Sequence, residues 1–392
     1  ASSVSAVDHE RVAVLESALD VVGPEDRLQR ALILGGLAGE LIFSGQQRRF
    51  DLAEEAVEVA RRTGDPQTLV LALHRAAAVA DVPRWYGQRH RWVQEAMGLT
   101  SGQGEPMGRF LTLTGAIRDE MTLGHVDAAE RAAAEAQSIA TEIGRPMMLW
   151  HIRYLRSTLT LVRGDLAGAE ELAEAALRVA VESGQPDALL TFGAQLMQVR
   201  WHQGRTVELI ELLVDSVKEH PDMSVLTTAL AYVQSTEGDR EAGRALLEQL
   251  RTDGFRFRED WNWGITCGLA AQTAHELHDA ESARLLIDIL APYRHLILAT
   301  SGACLPAVTH YLGLITATLG RPDEAEALLD DALARHQAMR SPFLTALTEL
   351  ELARLVATHD PQRASALSAE VRATAEKYGF EGLRVAASSG PG

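Results

Sequence analysis

His125-Val-Asp-Ala-Ala-Glu-Arg-Ala-Ala-Ala-Glu-Ala136 opens a stretch that runs to Gly144-Arg-Pro146, crosses a second apolar run and starts over at Gly164-Asp-Leu-Ala-Gly-Ala169. Gly124, Gly164 and Gly204 stand 40 residues apart, and the helix breakers Gly144 and Gly184 are offset by the same 40. Self-similarity at a fixed period of this size marks an array of helical hairpins. Within Val126 to Ile143, Ala129, Ala132, Ala133, Ala136, Ile139 and Ala140 recur at steps of three and four, on one side of a 3.6-residue helix. Gly144 supplies the permissive backbone that ends this helix, and Pro146 sits where the next one needs no amide donor. The partner helix, Met147 to Arg163, carries Leu149, Trp150, Ile152, Tyr154, Leu155, Leu159 and Leu161, enough apolar surface to face neighbours on two sides.

Outward from this stretch the same punctuation recurs. Gly-Asp-Pro at 64–66, Gly-Gln-Pro at 184–186, Gly-Arg-Pro at 320–322 and Ser-Pro at 341–342 each place Pro near a helix start after a terminating residue. The turns at Gly124, Gly164, Gly238 and Gly320 lead, five residues on, to Ala129, Ala169, Gly243 and Ala325, small residues that let two helices approach. Expected helices run over 8–22, 26–43, 51–62, 66–81, 88–99 and 106–123, then through the two 40-residue units. After Gly204 they run over 206–219, 224–237, 240–252, 263–277, 280–290, 306–319, 322–339, 342–358 and 362–378. No segment alternates apolar and polar residues for long, so essentially no sheet is expected. The predicted fold is all-α, a right-handed superhelix (α-solenoid) of antiparallel helix pairs with a period near 40 residues. It is expected to be one continuous repeat domain over 1–392, with N-terminal repeats (1–123), regular central repeats (124–252) and C-terminal repeats interrupted by two loops (253–392).

The chain is 46% hydrophobic with 5% aromatics, which is Ala/Leu-rich packing without a deficit of core formers. A net charge of −17 argues against holding phosphate backbones by bulk electrostatics, so direct nucleic-acid contact is not expected. Two cysteines, Cys267 and Cys304, are too few for a disulfide framework, and no charged n-region precedes an apolar h-region, so cytoplasm is the expected compartment. The uncharged run from Leu296 to Leu319 is broken by Thr300, Ser301, Gly302, Pro306, Thr309 and His310, short of the ~20 apolar residues a span requires. No membrane association is expected.

The turn followed by a small residue resembles the tetratricopeptide repeat, whose period is ~34 residues. Further segments extend the likeness: Leu41-Ile-Phe-Ser-Gly45, Leu52-Ala-Glu-Glu-Ala-Val-Glu-Val-Ala-Arg-Arg-Thr-Gly-Asp-Pro66, Phe192-Gly-Ala-Gln-Leu196, Asp260-Trp-Asn-Trp263, Cys304-Leu-Pro-Ala-Val-Thr-His-Tyr-Leu-Gly313 and Leu319-Gly-Arg-Pro-Asp-Glu-Ala-Glu326. In that order they resemble the C-terminal helical-repeat region of large actinobacterial signalling ATPases, many of which add a LuxR-type DNA-binding domain or a cyclase domain. The resemblance covers nearly the whole chain in many moderate matches, and so implies fold more than activity. It implies a nucleotide-binding switch domain on the N-terminal side, with the superhelix sensing an inducer or partner and restraining that switch. The chain itself holds no Gly-x-x-x-x-Gly-Lys-Ser/Thr phosphate loop and no Gly-x-Gly-x-x-Gly after a strand.

Candidate site residues follow from the architecture. In tetratricopeptide-like solenoids the first helix of each pair lines the concave face, and here those helices hold Trp150, Arg153, Tyr154, Gln195, Gln198, Arg200 and Trp201. Aromatic and amide side chains at helical spacing suit a groove for a peptide or an amphipathic small molecule, and equally suit a core. Asp253 to Trp263 interrupts the rhythm with packed aromatics and charges; Trp261 and Trp263 either plug a gap or wall a ligand site. Pro292 to Pro306 is long for a helix-to-helix turn and leads into His310 and Tyr311. Arg84, Trp85, Tyr86, Arg89, His90, Arg91 and Trp92 form a basic-aromatic cluster, either a contact patch or an amphipathic helix start. His275 and His278 lack the spacing of a metalloprotease pair, and no metal ligand or cofactor is assigned.

The expected function is a ligand- or protein-binding sensor or scaffold of a transcriptional or signalling regulator, taking a protein, a peptide or a small-molecule inducer in its concavity. The alternative is an enzyme with a pocket inside the solenoid, using His310, Tyr311 or Asp260 as acid/base groups beside Trp261 and Trp263. No catalytic residue is assigned.

Overall fold

The computed structural model describes residues 7–25, 27–102, 105–185 and 188–388. Among the described residues there are twenty α-helices, most of them connected by short turns. In chain order they are α1 (His9–Val22), α2 (Leu28–Glu40), α3 (Arg48–Thr63), α4 (Pro66–Val79), α5 (Tyr86–Leu99), α6 (Pro106–Leu123) and α7 (Val126–Ile143). Then follow α8 (Pro146–Val162), α9 (Leu166–Glu182), α10 (Ala188–Gln203), α11 (Ile210–Glu219), α12 (Ser224–Thr236), α13 (Arg240–Thr252) and α14 (Trp263–Glu276). The last are α15 (Ala280–Leu290), α16 (Val308–Thr318), α17 (Pro322–Ala338), α18 (Pro342–Val356), α19 (Pro361–Tyr378) and α20 (Glu381–Ser388). Each even-numbered helix from α2 to α18 packs on the odd-numbered helix that follows, except α10, which a 3-10 turn separates from α11; this is the all-α repeat solenoid expected from the 40-residue period. No helix among the described residues is long and apolar enough to cross a membrane.

The punctuation acts as its chemistry requires. Gly124, Gly144, Gly164, Gly184 and Gly204 all hold φ between 66° and 88°, so a left-handed residue recurs every 20 positions. Asp65, Asp165, Asp239, Asp279 and Asp360 cap the helices that follow by accepting hydrogen bonds from first-turn amides. The small residues sit at helix crossings. Ala129, Ala169 and Ala325 have no exposed surface. A Cβ on Gly243 would stand 2.3 Å from the Ser235 Oγ.

Several boundaries differ from expectation, each for a local reason. A two-stranded antiparallel hairpin, β1 (Ile297–Ala299) and β2 (Cys304–Ala307), stands where no sheet was expected. Ala307 is extended and gives its amide to the His336 Nε2 at 2.9 Å, so the following helix starts at Val308 and not at Pro306. A 3-10 turn over Thr206–Leu209 delays α11 to Ile210, and α20 lies beyond the last expected helix. Asp26, the expected start of the second helix, and Pro186 lie outside the described residues.

The solenoid also closes on itself. Arg49, buried in α3, donates to the Ile42 carbonyl at 2.6 Å and to the Glu259 carbonyl, 210 residues away. That separation is about five 40-residue units. Trp261 Nε1 donates to the Ala78 carbonyl of α4 at 2.8 Å, Thr158 of α8 to the Ser301 carbonyl at 3.0 Å, and Arg163 to the Met339 carbonyl at 2.7 Å. The chain from about residue 253 onward thus forms a second turn resting on the first. The two turns share one apolar core, in which Phe110, Ile117, Met121, Ile152 and Leu155 pack with Ile297, Met339, Phe343 and Phe380.

The glycines at the 40-residue step lie on this seam. A Cβ on Gly164 would stand 2.7 Å from Pro342 and 2.8 Å from Tyr378, and one on Gly204 would stand 2.5 Å from the Gly382 Cα. One on Gly124 would stand 3.2 Å from Met339. Gly144 and Gly184, at the outer ends of the same helices, would meet nothing within 4 Å.

Candidate functional site

The second turn fills part of the concavity, and this decides where the expected groove residues lie. Trp150 and Tyr154 of α8 do meet, edge to face with centroids 5.4 Å apart, and Gln195 of α10 joins them by donating to the Tyr154 carbonyl at 2.9 Å. Arg153 turns the other way, toward the Ala175 carbonyl of α9 at 3.3 Å, and Arg200 pairs with Glu170 of the same helix at 2.8 Å. Gln198 accepts from the Cys304 amide at 3.3 Å, which anchors the hairpin to α10. Trp201 Nε1 donates to the Tyr232 Oη at 2.8 Å and its ring meets Phe343 edge-on at 4.8 Å.

The remaining candidates are spread through the closing contacts. Trp261 packs edge-on against Phe43 at 5.4 Å, and Trp263 against Tyr293 at 5.4 Å. His310 and Tyr311 are buried; the His310 Nδ1 and the His336 Nδ1 both lie 3.0 Å from the Thr348 Oγ1. Asp260 caps a turn, accepting from the Asn262 amide at 2.9 Å and from the Arg258 Nε at 2.9 Å. Cys267 and Cys304 are free thiols, and burial pushes Cys304 up to about 12. His275 faces Glu351 at 3.6 Å. Burial tends to raise the Glu351 carboxyl, but the contacts to His275 and Arg354 outweigh it and hold the group down to about 2. No group of three or more His, Cys, Asp or Glu among the described residues is placed to hold a metal.

The basic-aromatic cluster becomes a junction. Trp85 stacks on Phe50 with centroids 4.5 Å apart, and Arg84 pairs with Glu259 at 2.7 Å. Arg89 runs inward to Asp81, to Asp119 at 3.4 Å and to the Thr122 hydroxyl at 3.0 Å. Asp81 also takes Arg118 at 3.0 Å, and Asp119 takes His90 at 2.6 Å. Two arginines and two aspartates balance. Such a buried network requires both signs, because removing one partner would strand a charge away from water. A cavity of about 40 Å³ adjoins it, between Asp81, Tyr86, Arg89 and β1; that is room for about three waters.

The second turn covers the C-terminal ends of α4, α6 and α8 through Trp261 on Ala78, Ile297 against Gly124 and Ser301 on Thr158. Upstream of those contacts the three helices carry His74, Arg118 and His151, none of them fully buried. The Arg118 charge acts on His74, His151 and Tyr154 alike, which places one guanidinium among three groups from two neighbouring helices. Burial first, then Arg118 and Arg75, lower His74 to about 4; burial, Arg118 and His74 lower His151 to about 3. Both imidazoles are therefore neutral near pH 7. His151 lies 4.9 Å from the Tyr154 ring in a stacked arrangement and meets Phe110 edge-on at 6.1 Å.

His74, Arg118 and His151 are not among the residues that the sequence singles out. They belong to no motif, and their spacing follows no fixed period. The available signal was positional, since each lies on the first helix of its pair, as Trp150 does. No family model matches this chain, and no curated protein matches it.

Proposed function

We propose that this chain is a ligand-sensing or partner-binding module of a signalling regulator, as its resemblance to the repeat regions of signalling ATPases implies. It binds on the inner face of its first superhelical turn. The observation that carries this reading is the partly exposed inner face of α4, α6 and α8, where Arg118 lies near enough to His74 and His151 to act on both and Trp150 meets Tyr154 beside the closed seam. Aromatic faces with a few polar groups on a rigid scaffold form the usual small-molecule site. Occupancy of that face would bias the contact between the two turns, and so alter what the module presents to an attached switch domain.

Native mass spectrometry of the chain incubated with a small-molecule extract tests this reading. A species retained by the wild type and lost from a folded His151→Ala chain is the expected result. If the wild type retains nothing, or both chains retain the same species equally, this inner face is not the binding site.

A further inference from the structure

We infer that the inner-face site takes a small aromatic carboxylate, with the acid group on Arg118 and the ring against Trp150, His151 and Tyr154. This rests on the binding-module reading above and adds the class of ligand.

The acid end follows from how Arg118 is used. Among the described residues its hydrogen bond and its ion pair are both to Asp81, through Nη1 at 3.0 Å. The edge formed by Nε and Nη2 makes no protein hydrogen bond there. Two parallel N–H bonds on one planar edge match the two oxygens of a single carboxylate. The side chain is 12% exposed, so the edge is reachable but poorly hydrated. An arginine in that state binds an anion more strongly than one in open solvent.

The ring end follows from α8. Trp150, His151 and Tyr154 present their rings on one side of that helix, within 5.4 Å of one another along the Trp150–Tyr154 and His151–Tyr154 pairs. The ring nitrogens of Trp150 and His151 have no protein hydrogen-bond partner among the described residues, so both donors remain available to a ligand. Neutral imidazole and indole offer stacking area and directed N–H groups with no charge to desolvate. A flat hydrophobic ring with an acid at one end satisfies both halves of the site. A sugar would leave the aromatic face poorly matched, and a bare inorganic anion would leave it unused.

Benzoate is the probe and benzyl alcohol its uncharged counterpart, each titrated calorimetrically into the full chain, with circular dichroism and melting followed for every variant. The expected result is saturable benzoate binding at least about ten-fold tighter than benzyl alcohol, and a loss of about ten-fold or more in Arg118→Lys, which keeps a charge for Asp81 but not the paired edge. Trp150→Leu, which leaves the charge network intact, is expected to weaken benzoate by a similar factor. Absence of saturable benzoate binding to the folded wild type overturns the proposal, as does equal binding by Arg118→Lys and the wild type. If the extract experiment retains a non-acidic species while benzoate fails, the ligand class falls and the binding module stands. If both fail, both readings fall.

Discussion

The imidazole of His202, on α10, lies flat on the ring of Phe343, on α18, with centroids 3.6 Å apart and planes 10° from parallel. This stack joins the first superhelical turn to the second, and Phe380 closes it edge-on at 5.8 Å from His202 and 5.1 Å from Phe343. Neither His202 ring nitrogen has a hydrogen-bond partner among the described residues, although both are buried, and burial lowers the group to about 3. The residue contributes area here and wastes two polar atoms. His202→Phe is therefore expected to raise stability by about 1 kcal/mol, because a buried unpaired polar group costs ~1–3 kcal/mol and its removal is offset by some crowding. A chemical denaturation midpoint below that of the wild type would contradict this.

The seam glycines separate two effects that usually travel together. Gly144→Ala meets open space and pays only for its positive φ of 70°, about 1 kcal/mol. Gly164→Ala adds the clash with Pro342 and Tyr378, and Gly204→Ala the clash with the Gly382 backbone, so each is expected to cost about 2–4 kcal/mol. Equal losses at 144 and 204 would show that the two turns do not press together there.

Histidines shielded from water, fully or in part, set the acid limit. His74 and His310 are lowered to about 4, and His151 and His202 to about 3, in every case first by burial. As pH falls, the unfolded chain takes up protons near the usual 6.5 while the folded chain does not. Their contribution is complete above that value and is lost as pH falls toward 4 and below. Glu349 works in the opposite sense. Burial and the neighbouring Glu370 raise it to about 7, so its contribution is complete below the usual carboxylate range and fades as pH rises through 7. With His336 lowered as well, five histidines outweigh Glu349 and the raised His275, and the urea midpoint is expected to be lower at pH 5 than at pH 7. An unchanged midpoint would count against these histidines being neutral in the folded chain.

Both thiols should be silent in the folded chain. Cys267 and Cys304 are buried, and burial raises both, Cys304 to about 12. A thiol reagent at pH 8 is expected to label neither until denaturant is added, and then both. Prompt labelling of Cys304 in native protein would mean that β2 opens readily.

The repeat was legible because its determinants are local. A left-handed glycine, a capping aspartate and an alanine at the crossing each act within one hairpin, and the 40-residue spacing of Gly124, Gly164 and Gly204 carried the fold. The closure was not legible, since Arg49 meeting the Glu259 carbonyl and Gly204 meeting Gly382 depend on superhelical pitch, which no local pattern encodes. That is why the hairpin at 297–307 read as a long loop, and why His310 and Tyr311 stood as candidates though they lie in the core. Trp150 and Tyr154, which share a helix face, could be paired from the sequence; Arg118 can be grouped with His74 and His151 only once three helices are brought together.

An open solenoid touches only its sequence neighbours, so it frays from its ends and folds one repeat at a time. Contacts here span 106 to 213 residues between the turns, as between Gln198 and Cys304 and between Asp127 and Arg340. Forming them means closing very long loops before the shared core is won, which slows folding and ties distant repeats into one cooperative unit. Unfolding should then register as a single sharp transition with a steep denaturant slope, in place of the broad, stepwise melting of a linear array.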